Sequence, residues 1–307
     1  MKVLFVSSGR NGVVGAVVKN QGDSLKNSGV DINYFLIKPG LKGYVLGIPK
    51  IRKEFKRGKF DLIHAHYSYS AYSASLAGNF PLIVSLMGSD VFMSGIRRII
   101  IKIFSKFLWS EVIVKSKQMS ELLELHFAKV IPNGVDLTIF KPILKIDARN
   151  ILGYPENKKL IIFVSSPDRS EKNFALAKKA INLFSDPEIE LRCLYDISSS
   201  ELNQWLNAAD LLLLTSFYEG SPNIIKEAMA CNCPIVSTDV GDVKNVIGDT
   251  DGCFISSFDP ADVADKIKAA LDFGRKTNGR ERIKELGLDS ETIANKIIQV
   301  YKEVLKN

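Results

Sequence analysis

Cysteine is scarce in this chain: the 307 residues contain four, Cys193, Cys231, Cys233 and Cys253, all in the second half. No framework spacing is visible, which excludes a disulfide-stapled secreted scaffold. Cys231 and Cys233 are two apart without a His-rich partner segment, so a zinc site is not expected. Long apolar runs are missing too, none approaching the roughly 20 residues a membrane-spanning helix needs. The opening MKVLFVSSGR turns polar after a short apolar run and reads as a first β-strand, not a secretory signal. Low-complexity tracts and short-period repeats are absent. A soluble, cytoplasmic protein is therefore expected. At 46% hydrophobic and 24% charged the chain is too apolar for disorder, and its length fits one large or two medium domains.

Net charge is +7 and unevenly spread. Residues 1–141 hold 20 Lys and Arg against 9 Asp and Glu, whereas the remainder hold 21 against 25. One half is basic and the other mildly acidic, as expected of two units with different partners. Strand-like apolar runs alternate with helical patterns throughout. In the first half the strands are expected at Val3–Ser7, Ile32–Leu36, Leu62–His66, Leu82–Leu86, Val112–Lys115 and Lys129–Ile131. Helices are expected between them at 13–28, 49–57, 68–78, 95–109 and 117–127. The second half restarts with Leu160–Val164, Leu191–Leu194, Leu211–Thr215, Ile235–Ser237 and Phe254–Ile255. Short continuous apolar strands separated by helices predict parallel sheets covered on both faces. Segment 131–159, with three Pro, two Gly and no clear strand, marks the boundary. The α/β architecture expected is two Rossmann-like, doubly wound domains facing a cleft, at 1–141 and 142–289, followed by an amphipathic helix at 290–307.

Ligands of open α/β sheets bind on loops at the carboxyl ends of strands. After Leu211–Thr215 comes FYEGSPNIIKEAMACNCPIVSTDVGDV, 217–243. Ser221 and Pro222 form a strong helix start, Ser as N-cap and Pro at the first helical position. Glu219 lies before that start and Glu227 about one and a half turns into the helix. Helix N-termini favour phosphate, while carboxylates accept from sugar hydroxyls, so the combination describes a sugar nucleotide. The same residues also describe an N-capped helix with surface acids. Arg169 and Lys172, following the strand at Leu160–Val164, can neutralise a diphosphate or can be solvated helix ends. Gly9, Gly12 and Gly15 of the first strand's loop are spaced too widely for a dinucleotide fingerprint, although that loop can bring backbone N–H groups to a ligand. Asp249-Thr250-Asp251-Gly252 has the DxD spacing of a metal site but reads as a turn.

These residues together resemble the retaining glycosyltransferases of family 4, which have the GT-B fold. The family's two Glu separated by seven residues stand here as Glu219 and Glu227, followed by AMACNCPIVSTDVGDV. DLIHAHY, 61–67, and IPNGVD, 131–136, match in kind and order. The resemblance implies that Glu227 holds ribose hydroxyls of a nucleotide-sugar donor and that Glu219 contacts the transferred sugar. Gly220, Ser221, Pro222 and Asn223 would lie by the donor diphosphate, Arg169 and Lys172 would stabilise its departure, and no metal or other cofactor is called for. Transfer to a glycan or lipid-linked acceptor with retention is implied, as in bacterial cell-surface polysaccharide or glycolipid synthesis. The last helix would cross back towards the first domain. Gly12 and Gly15 would face the donor, and Asp90 and His66 the acceptor or sugar. Each of His64 and His66 can equally be structural. Where the family often has His, this chain has Met87, a residue that cannot hydrogen-bond a sugar. Met87 leaves a second reading open, a catalytically silent module that binds sugar nucleotide or scaffolds a complex.

The basic segments are 50–57 and 95–109. In the latter, Arg97, Arg98, Lys102 and Lys106 interleave with Ile and Phe at helical spacing. That pattern fits either a peripheral anionic membrane contact at the inner face or a core helix with a cationic edge. No nucleic-acid recognition motif is present.

Overall fold

The computed structural model describes residues 1–9, 12–92 and 95–306. The chain divides into two compact units, unit 1 comprising 1–134 with 290–307 and unit 2 comprising 135–289. Unit 1 is built on strands β1 (Lys2–Ser8), β2 (Asp31–Ile37), β3 (Leu62–His66), β4 (Leu82–Ser85), β5 (Glu111–Val114) and β6 (Lys129–Val130), in the order β2-β1-β3-β4-β5-β6. Unit 2 is built on β7 (Lys159–Phe163), β8 (Ile189–Cys193), β9 (Leu211–Leu214), β10 (Ile235–Thr238) and β11 (Cys253–Ser256), in the order β11-β10-β9-β7-β8. Every pairing is parallel. The central strands are continuous apolar runs because helices cover both sheet faces: Val3–Val6 and Leu211–Leu213 are wholly buried. Both sheets reverse strand order once, between β1 and β3 in unit 1 and between β7 and β9 in unit 2. The crevice outside the strand ends at such a reversal is where doubly wound folds bind ligands.

Two expectations are corrected. The helix expected at 49–57 spans Leu41–Gly58, with Pro49 inside it. Pro49 and the glycines at 40, 43 and 47 read as breakers, yet the inward face, including Ile51, buries well enough to outweigh them. The boundary falls after Gly134, not after residue 141. Long-range ties bind 135–141 to unit 2: Val135 pairs with Asp289, and Arg280 donates to the carbonyls of Leu137 and Phe140. Segment 131–159 also contains a helix, Lys145–Leu152. Its Arg149 is buried and donates to Asp210 and to the carbonyls of Ala208, Pro155 and Glu156.

The final helix, Ser290–Val304, is part of unit 1. Its backbone accepts from Ser24 Oγ on the helix Ala16–Asn27, and its Tyr301 is fully buried.

Candidate functional site

After β7 the chain passes through a tight 3-10 turn, Ser170–Lys172, and Asn173 takes the left-handed conformation before the helix Phe174–Ile181. Loops after β7 and β9 are laced together here. The Thr215 hydroxyl lies 3.1 and 3.0 Å from the carbonyls of Lys172 and Asn173, and the Phe217 N–H donates to the Glu171 carbonyl at 2.9 Å. The lacing turns Lys172 towards Glu219, and the two form an ion pair with side chains only 13% and 16% exposed. The paired oxygen of Glu219 also accepts from the Ser216 hydroxyl at 2.8 Å. A largely desolvated ion pair is thus held at the strand-order reversal of unit 2. Arg169 stands apart from it. Its guanidinium is 57% exposed and bonds Glu171 instead.

The helix after Glu219 spans Asn223–Ala230, one residue later than expected, and Ser221 does not cap it. Pro222 holds the N-cap position. The Ser221 hydroxyl instead donates to Asp242 at 2.6 Å and accepts from the Lys226 ammonium at 2.8 Å. Hydrogen bonds to charged groups are roughly twice as strong as neutral ones, so this buried pair outcompetes the helix amides. Burial pushes Lys226 down and Asp242 up, while the attraction of Asp242 pulls Lys226 back up and that of Lys226 pulls Asp242 back down. Glu227, the next residue, is pushed up to about 7 by loss of solvent, partly countered by Lys226. Gly241 joins the two clusters. It has φ +61, and a Cβ there would lie 2.7 Å from the Gly220 carbonyl oxygen. Only glycine lets the loop before Asp242 approach Glu219–Gly220 so closely. Contact therefore runs unbroken from Lys172 through Glu219, Gly220, Gly241, Asp242 and Ser221 to Lys226. Lys226 and Asp242 were not singled out from sequence; a lysine in the buried stripe of an otherwise apolar helix was the available signal.

In unit 1 the candidate side chains of His64, His66 and Asp90 are inside the protein, whereas Gly12 and Gly15 are exposed. His64 is fully buried, with Nδ1 2.6 Å from the Tyr301 hydroxyl and Nε2 2.8 Å from the Ser85 hydroxyl. His66 is 1% exposed, packed on Phe5 and His64, and neither ring nitrogen has a hydrogen-bond partner. Burial, and then the charge of Lys115, depress it to about 3, so it stays neutral. His64 thus has a partner within the protein for each ring nitrogen, whereas His66 has none. Asp90, expected at the same contact, is 3% exposed and ties two loops together, accepting from the amides of Ser68 at 2.9 Å and Met87 at 2.6 Å. Burial lifts its carboxyl to about 7. These bonds secure a strained residue, Tyr67, at φ +77 and ψ 143, a region that costs a side-chain-bearing residue on the order of 1–3 kcal/mol. Gly12 has φ +74, and Gly15 precedes the helix Ala16–Asn27 as its N-cap residue. Arg10 and Asn11 of that loop lie outside the described residues. Asp249–Gly252 is a turn, closed by amides of Thr250 and Cys253. No three His, Cys, Asp or Glu side chains among the described residues come together as a metal-binding group.

Two sheets of this strand order define an architecture also found in solved glycosyltransferase structures. Sucrose-phosphate synthase from Thermosynechococcus elongatus superposes with a TM-score of 0.82 at 19% identity, covering 99% of each chain. Anabaena Alr3699/HepE in complex with UDP-glucose does so at 0.82 and 17%, covering 99% of this chain and 100% of that one. The model of Glycosyltransferase Family 4 matches residues 3–139, and that of Glycosyl transferases group 1 matches 189–272. The chain has the GT-B fold, and the two models, which together cover most of it, support glycosyltransferase family 4. A D-inositol 3-phosphate glycosyltransferase of Arthrobacter sp. (strain FB24) is 26% identical over 286 residues, 76% of this chain and 67% of its own. TuaC of Bacillus subtilis (strain 168), named for teichuronic acid biosynthesis, is 26% identical over 219 residues, 61% of this chain. The matched part spans 55% of TuaC.

Proposed function

We propose that this chain is a retaining glycosyltransferase that moves a sugar from a nucleotide-sugar donor to an acceptor hydroxyl, in assembly of a bacterial cell-surface polysaccharide or glycolipid. The observation that carries the reading is the Lys172–Glu219 pair at the strand-order reversal of unit 2. In the free protein the ammonium is held by Glu219. An arriving diphosphate, with more negative charge than one carboxylate, takes over Lys172 and leaves Glu219 to accept from sugar hydroxyls. As the sugar–phosphate bond breaks, charge grows on the departing diphosphate, and a fixed ammonium stabilises that state more than the ground state. Arg169 adds to this only by leaving Glu171. Gly220, Ser221, Pro222 and Asn223 shape the approach to the diphosphate, and Glu227 accepts from ribose hydroxyls. The names of TuaC and of the D-inositol 3-phosphate glycosyltransferases support transfer to a hydroxyl-bearing acceptor, and the UDP-glucose complex of HepE supports a nucleotide-sugar donor.

The test is turnover of UDP- and GDP-sugars by the wild type and by Lys172→Ala and Glu219→Ala, with product configuration read by proton NMR. Donor cleavage with a retained anomeric centre, lost in both variants while their melting curves stay cooperative, is expected. Wild-type rates in both variants would overturn the assignment. Donor binding without turnover would favour the silent module that Met87 leaves open. Saturating donor at one hundred times its dissociation constant should stabilise the fold by about 2.7 kcal/mol.

A further inference from the structure

Three helices lie on one face of the six-stranded sheet: Leu41–Gly58, Ser68–Ala77 and Gly95–Phe107. Right-handed crossovers from β2 to β3, β3 to β4 and β4 to β5 put all three there. Their inner residues Tyr44, Phe55, Tyr72 and Phe104 pack on one core cluster, and the Tyr72 and Phe104 rings are 4.7 Å apart. The three helices carry ten lysines and arginines and a single acid, Glu54. The helices of the opposite face, Ala16–Asn27 and Ser290–Val304, balance four lysines with three acids.

Gly95–Phe107 does not have the polar outer face of an ordinary surface helix. Ile101, Phe104 and Ser105 meet the core. Ile96, Ile99, Ile103 and Phe107, spaced three and four residues apart on the outer side, are 69%, 57%, 51% and 70% exposed. Scattered exposed apolar residues are ordinary, whereas a continuous stripe marks a contact surface. Lysine is depleted at protein–protein interface cores, but surrounds apolar residues on helices that lie in a bilayer interface. No helix among the described residues is long and apolar enough to cross a membrane.

We propose that this face docks on an anionic phospholipid surface, with Ile99, Ile103 and Phe107 entering the boundary between headgroups and acyl chains. Lysines of Leu41–Gly58 meet the lipid phosphates beside them. The inference does not rest on glycosyl transfer, since binding is read without turnover. The experiment is co-sedimentation of the full chain with phosphatidylcholine vesicles, with and without phosphatidylglycerol, at low and high salt. Binding that requires phosphatidylglycerol and weakens with salt is expected. The variant Ile99→Ser/Ile103→Ser/Phe107→Ser should bind at least about tenfold more weakly with an unchanged melting curve. Lys50→Gln/Lys53→Gln, which leaves the apolar stripe intact, should lose about fivefold for each cation removed. Absence of binding at low salt, equal binding to neutral vesicles, or wild-type binding by both variants would overturn the proposal. Self-association of the wild type that the triple variant abolishes, without vesicle binding, would assign the face to a second copy and overturn it as well.

Discussion

Unit 2 holds a lysine–glutamate pair between the ends of β7 and β9, whereas the corresponding place in unit 1, between β1 and β3, ends in His66 and the strained Tyr67. Strand order around the two reversals is the same. In unit 2 the charges of Lys172 and Glu219 keep some exposure and balance one another. In unit 1 the candidate ionisable groups are buried among loops and strands: burial depresses His66 to about 3, which keeps it neutral, and raises Asp90 to about 7. A shared topology offers the position, and the local side chains decide whether it becomes a charged ligand site or a structural joint.

The comparison breaks most visibly at Lys226. Lys226→Met leaves the half-buried Asp242 without its nearby cation and Ser221 without its donor, and should cost about 3 kcal/mol in urea unfolding, the low end for a broken buried pair. Adding Asp242→Asn should restore part of that stability, because the two substitutions act on one pair. Lys172→Ala should next lower turnover by about 10²–10³, roughly 2.7–4 kcal/mol of transition-state stabilisation, with little change in melting temperature. A smaller effect is expected in unit 1. Tyr301→Phe strips His64 Nδ1 of its partner and should cost about 1–3 kcal/mol of stability while donor KM stays at the wild-type value. If that variant instead raised donor KM, the joint in unit 1 would belong to the site. The mildest expectation concerns pH. Glu227 has its carboxyl raised to about 7 in the free protein, and the ionised form accepts from ribose hydroxyls more strongly than the protonated one. Donor KM should therefore be flat above pH 7 and rise by up to about tenfold per unit below it. Glu227→Gln should flatten the profile.

Much of the fold was legible because its cause is local. Apolar runs such as Leu211–Leu214 are strands since helices cover both faces, and Lys172 and Glu219 stand on the loops that follow two such runs. What escaped the sequence depends on distant partners. Ser221 reads as a helix cap until Asp242, 21 residues away, claims its hydroxyl. Residues 135–141 read as the end of the first domain because Arg280, which ties Leu137 and Phe140 to unit 2, lies 140 residues from Phe140. The burial of His66 and Asp90 could not be read either, because spacing along a chain carries no record of it. The helix Leu41–Gly58 extends before Pro49 for the opposite reason, a strong local breaker overruled by packing.

The most direct test is a crystal structure with a nucleoside diphosphate sugar bound. The account predicts the diphosphate within hydrogen-bonding distance of Lys172 Nζ, the ion pair opened, Glu219 on sugar hydroxyls and Glu227 on the ribose. A nucleotide seated elsewhere, with Lys172 still joined to Glu219, would contradict it.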